Sequence, residues 1–129
     1  MAGTFKFELV SPERVLLSED AEQVVLPGSE GDFAVLPGHA PVVSTLRPGI
    51  MDVTLPSGRR RVFVRSGFAD VDPDRLIVLA ERALEIEGAS AEAIAAELKS
   101  AEADLAAAKD DESRMMAESA IETLKGLRA

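Results

Sequence analysis

The stretch of sequence that decides the fold runs from Pro27 to Pro41 and reads PGSEGDFAVLPGHAP. Its glycines and prolines stand at turn positions, with a short apolar run between them. Gly28 and Gly31 flank two residues suited to a tight turn. Pro37-Gly38 fits the centre of a type II turn, where Pro presets φ and Gly accepts a positive φ. The run Phe33–Leu36 is long enough for one buried strand, so the stretch predicts a strand between two turns.

The same stretch carries polar side chains that indicate binding rather than simple connection. It holds the only histidine of the chain, His39, and two acids, Glu30 and Asp32. A rigid, shaped surface loop of this kind more often binds a partner than merely joins two strands. Two alternatives stay open: Glu30 and Asp32 as turn acids without a partner, and His39 in a structural hydrogen bond to nearby backbone.

Short strands are predicted on both sides of this stretch. Thr4 to Val10 alternates apolar and polar residues, and Leu76 to Ala80 is a run of Leu, Ile and Val. The remaining predicted strands are Val15–Leu17, Gln23–Leu26, Val42–Leu46, Ile50–Leu55, Arg61–Arg65 and Phe68–Val71. Roughly nine short strands bounded by Gly or Pro, with no helix between them, predict an antiparallel β-sandwich or barrel. A doubly wound α/β fold is excluded.

The character of the sequence changes after Glu87. Ser90 is a credible N-cap, and strong helix formers follow it to Ala108. Apolar residues at helical spacing form two stripes, one of Ile94, Leu98, Ala101, Leu105 and Ala108, the other of Ala117, Ala120, Ile121, Leu124 and Leu127. We therefore predict a sandwich of residues 1–87 and an antiparallel helical hairpin of residues 88–129. Because the stripes are rich in Ala, the hairpin should be weakly held and able to detach, with a static, solvated hairpin as the alternative.

Composition limits the chemistry. The net charge is −9 and there is no cysteine, which disfavours nucleic acid as a partner and excludes thiol chemistry and thiolate metal sites. A Ser-His-Asp arrangement of His39 with Ser29 or Ser44 and Asp32 lacks a nucleophile elbow. We predict no catalytic residue, no metal, no cofactor and no ATP site. No apolar run is long enough to span a membrane and no secretory signal is visible, so a cytoplasmic protein is expected.

Three consecutive arginines, Arg59–Arg61, follow the turn at Pro56-Ser57-Gly58. They are either a docking patch for an acidic partner or charges that protect the edge of a sheet from aggregation.

The run from Gly28 to Pro41, followed by Pro48-Gly49, resembles the epsilon subunit of bacterial F-type ATP synthases. In that family a GSEG turn, a PGHAP turn and a later PG pair occur at this spacing, and the order of elements agrees along essentially the whole chain. The resemblance implies a mainly β fold with a C-terminal α appendage. It also implies a non-catalytic rotor subunit of the central stalk, which binds the gamma subunit and the ring of c subunits and couples proton-driven rotation to ATP synthesis. Such a subunit is peripheral, on the cytoplasmic face of the bacterial inner membrane.

The resemblance also implies contact residues. Those facing the c-ring are Glu30, Gly31, Asp32, Gly38 and His39. The two acids are complementary in charge to the basic polar loops of c subunits. Those facing gamma are Val42, Val43, Ser44 and Thr45. The alternative is a free-standing soluble sandwich that senses a small ligand or ATP.

In some relatives the hairpin contacts the catalytic alpha and beta subunits and inhibits hydrolysis through basic residues. Here residues 112–128 carry equal numbers of acids and bases, so only weak inhibition is expected. The ATP motif of certain relatives needs an Arg that is missing from residues 83–113.

Overall fold

The computed structural model describes residues 3–128. Within these residues, ten strands precede two helices. The strands are β1 (Phe5–Val10), β2 (Val15–Ala21), β3 (Gln23–Gly28), β4 (Gly31–Val35), β5 (Val42–Leu46), β6 (Gly49–Leu55), β7 (Gly58–Val64), β8 (Gly67–Asp72), β9 (Arg75–Ala80) and β10 (Ala83–Glu85). The helices are α1 (Ala91–Ala107) and α2 (Asp111–Arg128). The predicted order, a β-sandwich followed by a helical hairpin, is confirmed.

The strands form one curled sheet in the order β10-β7-β6-β3-β5-β8-β9-β1-β2, and β4 adds to β3. Most neighbours are antiparallel, as predicted, but β1 and β9 run parallel with Lys6 opposite Arg75. This pair joins segments far apart in the chain, where no turn sequence marks the pairing. The first strand is therefore inserted between β9 and its own hairpin partner β2.

Several predicted strand ends were wrong. β2 extends to Ala21 rather than Leu17, and β7 begins at Gly58 rather than Arg61. Pro27 was expected to end β3 but lies within it, opposite Asp32 and beside the Gly28–Gly31 pair that closes the turn. Hydrogen-bonded and non-bonded pairs alternate in an antiparallel ladder, so a proline is tolerated at a position where no N–H is needed.

The sandwich encloses the main core. Alternate residues of β1, β6 and β9 point inward, so each of these strands contributes three or more buried side chains. The largest fully buried members are Phe7, Leu9, Leu26, Met51 and Leu76. The whole of this cluster lies within residues 5–80.

The hairpin helices begin at side-chain caps. The Oγ of Ser90 accepts a hydrogen bond from the N–H of Ala93 at 3.1 Å, as the sequence predicts. A carboxylate oxygen of Asp110 accepts from the N–H of Ser113 at 2.7 Å, and this bond holds the pKa of Asp110 below its ordinary value. Both predicted stripes face inward: Ala101, Ala120 and Leu124 are fully buried, and the remaining members are buried or half-buried.

Candidate functional site

The turn at Ser29-Glu30 is braced against the corner between β5 and β6. The N–H of Ser29 donates to the carbonyl of Thr45 at 2.9 Å, and their hydroxyl oxygens lie 2.7 Å apart. Arg47 fastens the other side, because its guanidinium donates to the carbonyl of Gly28 at 2.7 Å. The tip of the β3–β4 hairpin is therefore a fixed feature of the surface.

The two acids of this turn differ in their surroundings. Asp32 forms a 2.6 Å ion pair with Arg47. Glu30 is exposed at the tip and forms no ion pair with another described residue. The brace was not predicted: Arg47 is the only Lys or Arg between Pro27 and Gly49, but its contacts with Gly28 and Asp32 form only where the β5–β6 corner meets this turn.

The second turn, Leu36 to His39, has the predicted type II form. The N–H of His39 donates to the carbonyl of Leu36 at 3.1 Å, and Gly38 has a φ of +88°, which only Gly adopts without strain. The N–H of Gly38 bonds the carbonyl of Pro73 at 2.7 Å. His39 lies with its ring centroid 6.5 Å from that of Phe33. Phe33 belongs to β4, the strand that joins the two turns, so the His39 ring lies beside that strand.

The side chain of His39 is engaged locally. Its Nδ1 lies 2.7 Å from the carbonyl oxygen of Ala40. Ser29 is bonded to Thr45, Ser44 donates to the carbonyl of Thr45, and Asp32 is paired with Arg47. The structure thus pairs each member of the conceivable Ser-His-Asp set with a residue outside that set.

Strand β5 exposes an apolar face. Val43 is 68% exposed, Val42 is 41% exposed, and Phe68 of the neighbouring strand is 40% exposed. Thr45 lies directly opposite Phe68, so Val43, Thr45 and Phe68 project from the same outer face of the β5–β8 pair. Val42 and Ser44 lie on the other face; Ser44 is half-buried, whereas Val42 is exposed at the start of the strand. Three of the four β5 candidates are therefore exposed to a partner.

The arginines Arg59–Arg61 are all paired with carboxylates. Their partners are Asp52, Glu85 and Glu87 respectively, and Arg60 also approaches Glu19. The hydrogen bond from Arg59 holds the pKa of Asp52 below its ordinary value, and the backbone N–H of Arg61 does the same for Glu87. The three arginines serve the sandwich itself and leave no free basic patch at β7.

A second apolar cluster holds the hairpin on the sheet. Phe63 of β7 is fully buried against Leu98, Ala101, Ala120 and Leu124. The sheet thus supplies the large side chain that the Ala-rich helices lack. We expected weak apolar contact between hairpin and sheet because the helices are rich in Ala. Phe63 of β7 was not part of that expectation.

A buried arginine adds a polar contact to this interface. Arg65 is 7% exposed, donates to the Ser100 hydroxyl at 3.0 Å, and pairs with Asp104 and, at 3.9 Å, with Glu97. Arg82 also binds Glu97, at 2.7 Å, and this bond raises the pKa of Arg82. We call Arg65, Arg82, Glu97 and Asp104 the hairpin latch. Nothing local in the sequence indicates it, because both acids lie on α1 whereas the arginines follow β7 and β9.

Braced turns, an exposed strand face and a docked helical hairpin define a protein-binding module built on a β-sandwich. Comparison with known proteins identifies its family. The family described as "ATP synthase, Delta/Epsilon chain, beta-sandwich domain" matches residues 4–86. The chain belongs to this family, which confirms the membership predicted from the Gly28–Pro41 run.

Relatives that match along nearly the whole chain support the same family. The chain is 48% identical to the ATP synthase epsilon chain of Parvibaculum lavamentivorans, over 99% of this chain and 98% of the relative. It is 45% identical to the epsilon chain of Mesorhizobium japonicum, over 98% and 96%. Because these relatives are epsilon chains and not catalytic chains, the prediction of a non-catalytic ATP synthase subunit is confirmed.

Solved structures give the same fold. A chain of the Euglena gracilis mitochondrial ATP synthase, in an OSCP/F1/c-ring structure, matches with a TM-score of 0.71 and 26% identity over 97% of this chain and 79% of that one. A chain of the Tetrahymena thermophila central stalk and c-ring matches with a TM-score of 0.66 and 10% identity over 98% of both chains, which shows the fold alone. None of the helices within residues 3–128 is long and apolar enough to cross a lipid bilayer.

Proposed function

We propose that this chain is the central-stalk subunit that joins the gamma subunit to the c-ring and transmits rotation between ring and catalytic head. The observation that carries the proposal is the similarity to epsilon chains over nearly the whole length, sandwich and hairpin together. The solved relatives come from structures whose titles name F1, the central stalk and the c-ring. The protein then acts through its surfaces and contributes no catalytic group.

For the c-ring we propose the side of the molecule that carries Glu30, Gly31, Asp32, Gly38 and His39. Both turns are held by backbone hydrogen bonds, so a partner loop meets a preformed surface and loses little conformational entropy on binding. Glu30 is the acid available for a basic partner loop, because Asp32 is already paired with Arg47. Asp32 instead fixes the shape of the turn.

Charge reversal at Glu30 tests this surface. Glu30→Lys should weaken coupling between ring and head, measured as ATP-driven proton pumping in membrane vesicles. Glu30→Gln should have an intermediate effect, since it removes the charge without reversing it. Glu102→Lys, a reversal at an exposed acid of α1, is the matched control and should pump normally. Normal pumping by Glu30→Lys would remove this turn from the ring contact.

For gamma we propose the outer face of β5, with Val42, Val43, Ser44 and Thr45. An exposed apolar strand face beside the exposed ring of Phe68 is characteristic of a protein contact rather than of a solvated surface. Ser44 contributes through the strand backbone, because its side chain turns inward.

We place the protein on the cytoplasmic face of the bacterial inner membrane, held there through the complex. Extraction of membranes with mild detergent tests this placement, because a stalk subunit follows the ATP synthase through purification. Recovery in the soluble fraction, free of the complex, would instead support the free-standing sensor.

A further inference from the structure

The exposed apolar residues of this molecule are concentrated in one region. Six large hydrophobic side chains are notably exposed among the described residues: Val15, Leu36, Val42, Val43, Phe68 and Met115. Three of the six belong to the paired strands β5 and β8. A fourth, Met115 of α2, is 67% exposed and faces those strands across a groove. The apolar surface of the sandwich therefore continues onto the hairpin.

The groove between the sheet and α2 has a volume of about 680 Å³. Thr45 and Gly67 form its sheet side, and Met115 and Met116 form its helix side. Gly67 directly precedes the exposed Phe68, so the strand face and the groove are one continuous surface. Methionine side chains suit such a contact, because they are flexible and adapt to the shape of a partner.

This surface is preformed. The Ser119 hydroxyl lies 3.4 Å from the carbonyl oxygen of Pro48, which ties the middle of α2 to the β5–β6 corner. Phe63 and the hairpin latch also hold this hairpin on the sheet. Both walls of the groove therefore keep their positions without a partner.

The rim of the groove is acidic. Glu112 lines it, Glu30 follows the lining residue Ser29, and Asp70 lies opposite Val43 on the outer face. The one arginine of the lining, Arg47, is already paired with Asp32. Charge complementarity therefore calls for apolar side chains flanked by Lys or Arg.

We infer that one amphipathic, basic-flanked segment of the gamma subunit covers the β5–β8 face and enters the groove against Met115 of α2. This inference rests on the proposed function, which places gamma on β5, and extends that interface to the hairpin. A partner that touches both parts binds the docked form better than the undocked form. Gamma binding and hairpin docking then strengthen each other by mass action.

The test uses the full-length chain titrated into a catalytic head that contains gamma but lacks this subunit, with Kd measured calorimetrically. Val43→Gln probes the strand face and Met115→Gln probes the hairpin side, and each should raise Kd by about five- to tenfold, as at a well-packed apolar contact. Met115→Leu and Glu118→Gln, the latter on an exposed α2 residue outside the groove, should stay within about twofold. Circular dichroism melts establish that the variants are folded.

The possible outcomes distinguish a failure of this inference from a failure of the proposed function. If Val43→Gln weakens binding and Met115→Gln does not, gamma contacts the strand face alone and this inference is overturned while the proposed function stands. If neither variant weakens binding, gamma contacts another face, so the inference and the placement of gamma on β5 are overturned while the central-stalk function stands. If the unmodified chain does not bind the head at all, the proposed function is overturned as well. If the free chain self-associates in sedimentation and Met115→Gln abolishes that association, the occupant is a second copy of this chain and the inference is overturned.

Discussion

Replacing Arg65 by Met should loosen the hairpin without disturbing the sandwich. The change keeps most of the buried aliphatic volume and removes the charge, so it isolates the polar part of the latch. Removing one partner of a buried ion pair costs about 3–5 kcal/mol when the other is left stranded. In Arg65→Met, Glu97 still has its 2.7 Å ion pair with Arg82. The Asp104 side chain is 65% exposed, so water can hydrate its carboxylate in place of Arg65.

The expected loss is therefore about 1.5–3 kcal/mol, the scale of hydrogen bonds to a charged group. Arg82→Met is the matched control and should cost about 1 kcal/mol or less, because the Arg82 side chain is 45% exposed. The double variant leaves Glu97, 14% exposed, without a described cation. Its loss should exceed the sum of the single losses, since the two arginines share one acid.

Urea unfolding of the full-length chain measures the totals, and amide hydrogen exchange locates them. In Arg65→Met the amides of α1 and α2 should exchange faster, while those of β6 and β9 keep their protection. A loss below about 0.5 kcal/mol, or equal loss of protection in sheet and helices, would refute the idea of a separately docked hairpin.

Complete loss of the hairpin is represented by the fragment of residues 1–87, which ends at the domain boundary that we propose. It retains the entire main cluster but uncovers Phe63. We expect a cooperative melt with stability lower by about 2–4 kcal/mol, most of it from exposing that ring and its half-buried neighbours. Loss of the cooperative transition would show that the hairpin is part of the core.

Three further outcomes are expected. Gly67→Ala should prevent folding, because its Cβ would lie 1.8 Å from the carbonyl oxygen of Leu79 at a φ of +148°, and a native-like melt would contradict this. Asp52→Asn should cost under about 1 kcal/mol at pH 7 in urea unfolding. The pKa of Asp52 is lowered in the folded state, so its contribution is present above the unfolded value of 3.8 and is lost as pH falls below it. The deficit of the variant should thus shrink towards pH 3, and a constant deficit would contradict the pairing. Deleting residues 88–129 should change ATP hydrolysis by the assembled head less than about twofold, because residues 112–128 carry as many acids as bases and single surface ion pairs are weak; a several-fold rise would show that the hairpin inhibits.

The features predicted correctly from the sequence are those encoded within a few residues. The turns at Ser29-Glu30 and Pro37-Gly38 follow from the backbone preferences of Gly and Pro, and the Ser90 cap follows from its short polar side chain. These local rules also gave the order of strands and helices along the chain.

Features that depend on distant residues could not be predicted in this way. Arg65 is an ordinary end to an alternating strand until α1 brings Ser100 and Asp104 against it. Strand β10 was missed because its three residues acquire a strand partner only where β7 passes beside them. Arg47 acquires its bracing role only once the β5–β6 corner meets the β3–β4 turn.

The parallel pairing of β1 with β9 has a consequence for synthesis on the ribosome. Lys6 pairs with Arg75, 69 positions later, so β1 leaves the ribosome well before β9, its parallel neighbour in the sheet. At about 5–20 residues per second that interval lasts about 3–14 s. During it, Phe5, Phe7 and Leu9, which end with 3% exposure or less, have no β9 to pack beside them. The nascent chain therefore exposes the apolar residues of the β1–β2 hairpin to the chaperones of the cell until β9 has been synthesised.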